Sequence, residues 1–378
     1  MENRQRSLRQ VLRLAFSAVR AQACGDCLVC GYGGLKMEQS VASAALPDGT
    51  FVAYATSGTG PTLIFVGGWL SHLELSWALL PERSFFEALA NGRTLVRYDR
   101  PNCGLSDRTS SEVVWSLGLE LDTLRTVSSA VGGTTFDLVG SSLGVPIAID
   151  WAARFPETVS RLVLYGGWAR GFDIAAPQVR EHVIGLVRSH WGLGSDVLTE
   201  IFAPEASAAT SAALAEYQRQ ASSAETAAQL LAGCYEVDVT DRLSEIGAPT
   251  LVLHREDDRA APLAQSQLIA SRIDGARLVQ LPGRSHLPYI GDVDALVREI
   301  RRFLGLPAAR RTAVPTLTKR QAEVARLVSQ GFTNREIAHE LGIDERSAEG
   351  HLERIRIRLG VRSRAQVAAW WVSSNGPN

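Results

Sequence analysis

The pentapeptide Gly140-Ser141-Ser142-Leu143-Gly144 follows directly on the apolar run Phe136-Asp137-Leu138-Val139. A Gly-x-Ser-x-Gly turn between a strand and a helix holds its central serine at strained backbone angles. Small residues two positions to either side let that turn close without clashes. Ser142 is therefore the candidate nucleophile. Pro146 then falls in the first turn of the following helix, where a missing N–H costs little. A nucleophilic serine needs a base to take its proton and a group to orient that base. Two later apolar runs lead into residues of the right types. Leu251–Leu253 runs into His254-Arg255-Glu256-Asp257-Asp258, and Leu278–Leu281 runs into Pro282-Gly283-Arg284-Ser285-His286.

The elements that must position these groups are legible as short apolar runs rich in Val, Ile and Leu. They are Leu63–Val66, Leu95–Tyr98, Phe136–Val139, Leu162–Tyr165, Leu251–Leu253 and Leu278–Leu281. Helix-length segments separate them, as expected for strands buried on both faces of a parallel sheet. Before them, Ser43–Leu46 and Phe51–Tyr54 flank Pro47-Asp48-Gly49, a hairpin signal. The spacing breaks only between Tyr165 and Thr250, where an Ala-rich, helix-prone stretch predicts a cap over the sheet (about 168–246), with Trp168 and Trp191 shaping substrate choice.

Residues 40–305 resemble the α/β-hydrolase family, whose sheet presents Ser, Asp and His in this chain order at its strand ends. The resemblance implies Ser142 as nucleophile, His286 as general base and Asp258 as orienting acid, with Asp257 as the alternative because the acid is doubled. It implies an oxyanion hole from the backbone amides of Leu143 and of Trp69, in Val66-Gly67-Gly68-Trp69. Tyr98-Asp99-Arg100-Pro101-Asn102-Cys103-Gly104 matches the family's loop after the next strand. The chain departs at Gly67-Gly68, where the family often has His-Gly, and at Arg255, where it often has Gly. Cys103 and His72 are candidates for the mouth of the site, with ordinary packing the preferred reading for both.

Residues 317–372 read as four short helices. Thr318-x-x-Gln321, Thr333-x-x-Glu336 and Ser363-x-x-Gln366 are capping boxes, and Asp344 caps the remaining helix. Val324, Leu327 and Val328, then Ile337, Ala338 and Leu341, then Ala348, Leu352, Ile355 and Leu359 form apolar faces. Gly342 and Gly360 close the second and third helices. The run from Leu317-Thr318-Lys319-Arg320 through Thr333-Asn334-Arg335-Glu336 to Leu359-Gly360-Val361-Arg362 resembles the LuxR-type helix-turn-helix. It implies that helix 345–359 enters the major groove and helix 334–341 crosses the backbone. Asn334, Arg335, Arg354 and Arg358 are the phosphate candidates, and Arg346, Ser347 and Gly350 face the bases. Glu349 stands where the family usually has Lys or Arg.

Charge agrees with this division. Residues 309–378 carry twelve basic and seven acidic side chains, a net +5, within a chain of net charge −1. A basic module on an acidic body suggests a nucleic-acid surface. The 378 residues, 46% apolar and 21% charged, exclude a disordered or collagenous chain. No apolar run approaches the ~18 residues of a membrane helix. Five cysteines, three of them in Cys24-x-x-Cys27-x-x-Cys30, make no disulfide framework, and a metal site there lacks a fourth ligand.

Together these readings predict an α/β fold with an inserted helical cap, followed by a small all-α domain. The expected divisions are a basic N-terminal extension of unassigned role (1–36), a hydrolase domain (37–305), a linker (306–316) and a DNA-binding domain (317–378). The expected activity is that of a cytoplasmic transcription regulator whose serine-hydrolase site binds and hydrolyses a small acyl ester or lactone, with no cofactor and no metal; the alternatives are a working carboxylic-ester hydrolase with an auxiliary DNA-binding tail and a non-catalytic ligand sensor. Its expected partners are double-stranded DNA, a small acyl ligand and, by resemblance, a second copy of the chain, but no membrane.

Overall fold

The computed structural model describes residues 37–108, 115–307, 317–359 and 363–375. The cysteine-bearing extension, most of the linker and Gly360 lie outside the described residues.

A hairpin opens the described chain. Strands β1 (Gln39–Ala45) and β2 (Phe51–Ser57) pair antiparallel across the turn at 47–50. Gly49 there has φ 88, and the Asp48 carboxylate accepts the Thr50 amide at 2.9 Å, so the turn residues supply their own geometry. The sheet continues with β3 (Thr62–Val66), β4 (Thr94–Tyr98), β5 (Phe136–Ser141), β6 (Val159–Tyr165), β7 (Thr250–Arg255) and β8 (Arg277–Leu281). Its order is β1-β2-β4-β3-β5-β6-β7-β8. β2 lies antiparallel on β4, and every pairing from β4 to β8 is parallel.

Parallel neighbours require crossovers, and helices provide them. Helices α1 (Leu73–Ala78) and α2 (Leu80–Ala90) connect β3 to β4. α3 (Leu117–Ala130) leads into β5, and α4 (Gly144–Arg154) leads out of it. All six β5 residues are buried, which places the Ser142 turn at the end of a fully enclosed strand. β8 departs from the expectation of burial on both faces: only Leu281 is buried, because β8 is an edge strand with a neighbour on one side alone.

The break in strand spacing is a helical insertion between β6 and β7. It contains α5 (Pro177–Ser189), α6 (Trp191–Phe202), α7 (Ala208–Ala221) and α8 (Ala224–Glu236). α5 packs on α8, and α6 on α7. After it, α9 (Leu263–Arg272) joins β7 to β8, and α10 (Val293–Phe303) follows.

The C-terminal helices are α11 (Lys319–Ser329), α12 (Asn334–Leu341), α13 (Glu345–Leu359) and α14 (Arg364–Asn375). Both Thr-initiated capping boxes form, Ser363 and Gln366 exchange the equivalent pair of hydrogen bonds, and Asp344 accepts the Ser347 amide at 2.8 Å. Gly342 ends α12 at φ 62. Val324, Leu327, Val328, Ile337, Ala338, Ala348, Leu352, Ile355 and Leu359 build a separate small core, as their periodicity predicts. Among the described residues, no helix is long and apolar enough to cross a membrane.

Candidate functional site

Ser142 sits at φ 57, in the left-handed region that a side chain other than glycine rarely adopts. The flanking glycines make this possible. A Cβ on Gly140 would lie 2.5 Å from the Gly144 carbonyl oxygen, and one on Gly144 would lie 2.0 Å from that of Val66. The strained turn lifts the Ser142 hydroxyl to His286, whose Nε2 is 2.8 Å from Oγ. His286 Nδ1 is 2.8 Å from Asp258 Oδ2. A carboxylate only accepts, so Nδ1 carries the proton and Nε2 is left to accept from the serine.

Asp258 is the residue facing His286, while Asp257 is exposed. Asp258 Oδ1 accepts the amides of Ala260 and Ala261 at 2.8 and 3.3 Å. Burial alone would raise this carboxyl. The charge and hydrogen bond of His286, with His254 and the Ala260 amide, outweigh it and hold Asp258 below the usual carboxylate range. Beneath it His254 is fully buried. Its Nε2 donates to the Ala261 carbonyl at 3.0 Å, and its Nδ1 accepts from Ser266 at 2.8 Å. Burial lowers its pKa.

The two amides expected to face a developing oxyanion, those of Trp69 and Leu143, donate to no acceptor among the described residues. Gly68 brings their loops together, since a Cβ there would lie 3.6 Å from that of Ser142. The Gly67-Gly68 segment is held by Arg100, which is buried, donates to the carbonyls of both glycines and pairs with buried Glu120 at 2.9 Å. The sequence shows Arg100 only as part of a loop match. Its hold on Gly67-Gly68 depends on side-chain direction in the folded chain.

Arg255, noted as a departure, is also buried. It donates to the carbonyls of Ser285 (2.9 Å), Leu287 (3.3 Å) and Ile290 around the His286 loop. From the insertion, Glu205 accepts the Arg284 and Ser285 amides at 3.2 and 3.0 Å and the Ser285 hydroxyl at 2.8 Å. Burial raises the Glu205 carboxyl, but these hydrogen bonds prevail and hold it below its ordinary value.

A cavity of about 110 Å³ opens beside Ser142 and His286. The insertion contributes Thr199, Phe202, Leu214, Tyr217 and Gln218 to its wall. Trp168 and Trp191, expected to shape it, are absent from the lining. Trp168 is buried elsewhere, and Trp191 instead meets cavity residue Trp69 edge-on at 6.0 Å. His72 lines the cavity and also caps α1 through Nδ1. Cys103 is a packing residue, as expected: it is fully buried, and burial pushes its thiol up to about 11.

In the C-terminal helices, Arg335, Arg346, Glu349 and Arg354 are exposed, and Ser347 and Gly350 half-buried. Arg354 Nε donates to the Gly350 carbonyl at 2.9 Å, and Ser347 to the Asp344 cap at 2.7 Å. Asn334 and Arg358 are engaged within the module. Asn334 accepts from Arg364 at 2.6 Å, and Arg358 donates to Gln321 at 2.6 Å. Arg364 also bonds the Phe332 carbonyl, so it ties α14 to the start of α12, a role the sequence does not signal.

Residues 63–299 match the model of the alpha/beta hydrolase family. The chain belongs to that family. Residues 315–371 of this hydrolase match a second model, the luxR family of bacterial regulatory proteins, so a LuxR-type helix-turn-helix follows the hydrolase domain in one chain. The hydrolase is 28% identical over 270 residues to a pyrrolizixenacetamide deacetylase of Xenorhabdus hominickii, covering 67% of this chain and 94% of the relative. It is 28% identical over 229 residues to a putative carbamate hydrolase, RutD, of Rhizobium rhizogenes, covering 58% and 85%. Among solved structures, an enol-lactonase from Burkholderia xenovorans LB400 superposes with a TM-score of 0.59 at 23% identity, covering 70% of this chain and all of that one. That likeness is one of fold.

Proposed function

We propose that this chain is a transcription regulator acting in the cytoplasm, whose hydrolase domain cleaves a small acyl ester or lactone and reports it to the DNA-binding module. The observation that carries the reading is the unbroken hydrogen-bonded series from Ser142 through His286 to Asp258, at 2.8 Å and 2.8 Å, in a chain that also holds a LuxR-type module. A sensor that only binds has no physical need for all three groups, and a plain esterase has no need for a DNA reader.

Ser142 Oγ attacks the acyl carbonyl carbon while His286 Nε2 takes its proton. The tetrahedral oxygen gathers charge, which the Trp69 and Leu143 amides stabilise. The leaving alcohol takes the proton from His286, and the acyl group stays on Ser142. Water then gives a proton to His286 and attacks the acyl carbon; the acyl–Oγ bond breaks, the acid leaves and His286 returns the proton to Ser142 Oγ. Asp258 keeps the imidazole in the productive tautomer throughout. The relatives that act on an acetamide or a carbamate favour a second reading, in which the scissile bond is C–N and His286 protonates an amine instead. On the DNA side, Arg346, Ser347 and Gly350 meet base edges, and Asn334, Arg335, Arg354 and Arg358 meet phosphates. A homodimer reading a palindromic site follows from the LuxR-type likeness.

The test is fluorophosphonate labelling of full-length protein beside Ser142→Ala, paired with a gel shift on promoter DNA. Labelling confined to the unsubstituted protein, with equal DNA binding by both, is the expected result. Absence of labelling in both sinks the nucleophile, and absence of salt-sensitive DNA binding sinks the regulator.

A further inference from the structure

The cavity beside Ser142 is not uniformly apolar. Part of its wall is formed by Glu82, Arg97, Tyr98, Asp99, Tyr217 and Gln218. Glu82, Arg97, Tyr98 and Gln218 are at least nine-tenths buried, and Asp99 is fully buried. Such groups are ordinarily paired within the protein, and here the pairing is lopsided.

The terminal guanidinium nitrogens of Arg97 and the carboxamide nitrogen of Gln218 are engaged. Arg97 gives Nη1 to Ser76 at 2.7 Å and Nη2 to Gln39 at 2.5 Å. Gln218 gives its amide nitrogen to the Ser195 carbonyl and Thr199 hydroxyl at 3.2 and 2.7 Å, which fixes which end is oxygen. The acceptors are not spent. Glu82 Oε2, Asp99 Oδ1, Gln218 Oε1 and the Tyr98 hydroxyl are buried without a hydrogen-bond partner. Asp99 uses its other oxygen for the Leu73 and Leu105 amides. Four desolvated oxygens that can accept, one of them a hydroxyl that can also donate, belong to residues lining the cavity that holds the candidate nucleophile, and they favour N–H or O–H groups.

We infer that this end of the cavity is a subsite for the donor-bearing head of the substrate, an amide, amine or hydroxyl group, with Glu82 and Gln218 as its specificity-determining residues. The proposal deepens the acyl-hydrolase reading and rests on it: the acyl carbonyl sits at Ser142 while the polar head reaches the orphan acceptors. A hydrocarbon tail would leave those oxygens unpaired, and a carboxylate would add acceptors to acceptors. Burial raises Glu82 to about 7 against the pull of Arg97, Ser76 and Tyr289. Near neutrality its carboxyl therefore both accepts and donates, as an amide head requires.

The experiment uses full-length Ser142→Ala protein, which lacks the nucleophilic hydroxyl, so its result does not depend on turnover. Saturation-transfer NMR titrations compare hexanamide with two probes of matched length, 2-heptanone and hexanoate. Hexanamide is expected to bind about tenfold tighter than either, because only it supplies donors to the unpaired oxygens. Adding Glu82→Leu or Gln218→Leu should bring the three affinities within about threefold, whereas Glu82→Gln, which keeps an acceptor oxygen, should retain most of the preference. Equal or tighter binding of 2-heptanone or hexanoate overturns the subsite. So does a preference unchanged in both leucine variants, or no hexanamide binding below about 10 mM. Loss of the serine chemistry alone would appear in the labelling experiment and leave this preference intact.

Discussion

The Phe202 carbonyl accepts the His286 amide at 2.7 Å, and the Phe202 ring lies 5.6 Å from the imidazole. Phe202 ends α6 in the helical insertion, so the candidate base is seated by the insertion as well as by the loop after β8. Glu205, three residues on, fastens the same loop through Ser285. Glu205→Ala should therefore lower kcat by ~10–100-fold with little change in KM, since a small displacement of His286 spoils proton transfer. Steady-state kinetics on any hydrolysed ester, with a melting curve to show retained folding, read this out. A rise in KM alone would assign Glu205 to substrate binding instead.

Asp258 and Asp257 separate cleanly by substitution. Asp258→Asn removes the acceptor that fixes the His286 tautomer and should cost ~10³–10⁴ in kcat. Asp257→Asn, at an exposed side chain, should stay within about threefold of the unsubstituted protein. The reverse order would move the orienting role to Asp257.

Glycines with and without neighbours should respond oppositely to alanine. Gly144→Ala forces a Cβ to within 2.0 Å of the Val66 carbonyl oxygen and should destabilise the protein by ~1–3 kcal/mol or more. Gly185→Ala lies inside α5, where a Cβ meets nothing within 4 Å, and should stabilise it by ~0.5–1 kcal/mol. Urea midpoints measure both.

Glu82 makes stability fall as pH rises. Burial raises its carboxyl to about 7, above the ordinary 4.5, so between those limits the folded protein holds a proton that the unfolded chain releases. The resulting loss accumulates from pH ~4.5 to ~7 and amounts to about 3 kcal/mol above that range. Glu82→Gln has no proton to lose. Its melting temperature should match the unsubstituted protein near pH 5 and exceed it at pH 8. A gap that is the same at both values would show that Glu82 ionises normally.

Arg346 and Glu349 are exposed on α13, and the LuxR-type likeness puts that helix in the major groove. Arg346→Ala should weaken specific DNA binding by ~1–3 kcal/mol if it meets a base edge. Glu349→Lys should tighten binding and steepen its salt dependence by about one ion released. Fluorescence anisotropy over a series of salt concentrations distinguishes the two effects. Unchanged affinity in both variants would remove α13 from the interface.

What the sequence by itself determined is what short-range pattern can carry. Four-residue apolar runs announced the parallel strands, because each buried strand satisfies its own periodicity. Pro47-Asp48-Gly49, the Thr318 and Thr333 capping boxes and Gly140-Ser141-Ser142-Leu143-Gly144 announced turns, caps and a strained serine, because those geometries are closed within five residues. The tertiary structure decided what depends on direction and distance. Asp258 rather than Asp257 faces His286 because the turn after β7 aims only one of two adjacent side chains inward. Trp191 misses the cavity, while Phe202, Tyr217 and Gln218 reach it, because helix packing in the insertion sets which face looks down; Trp168 lies before the insertion's first helix and is buried elsewhere. Arg255, read as a departure, becomes a clamp on the His286 loop. Glu205 meets Ser285 across a separation of 80 residues. No local pattern encodes such contacts, since burying and pairing these charges becomes favourable only once the sheet, the insertion and the loop close around them.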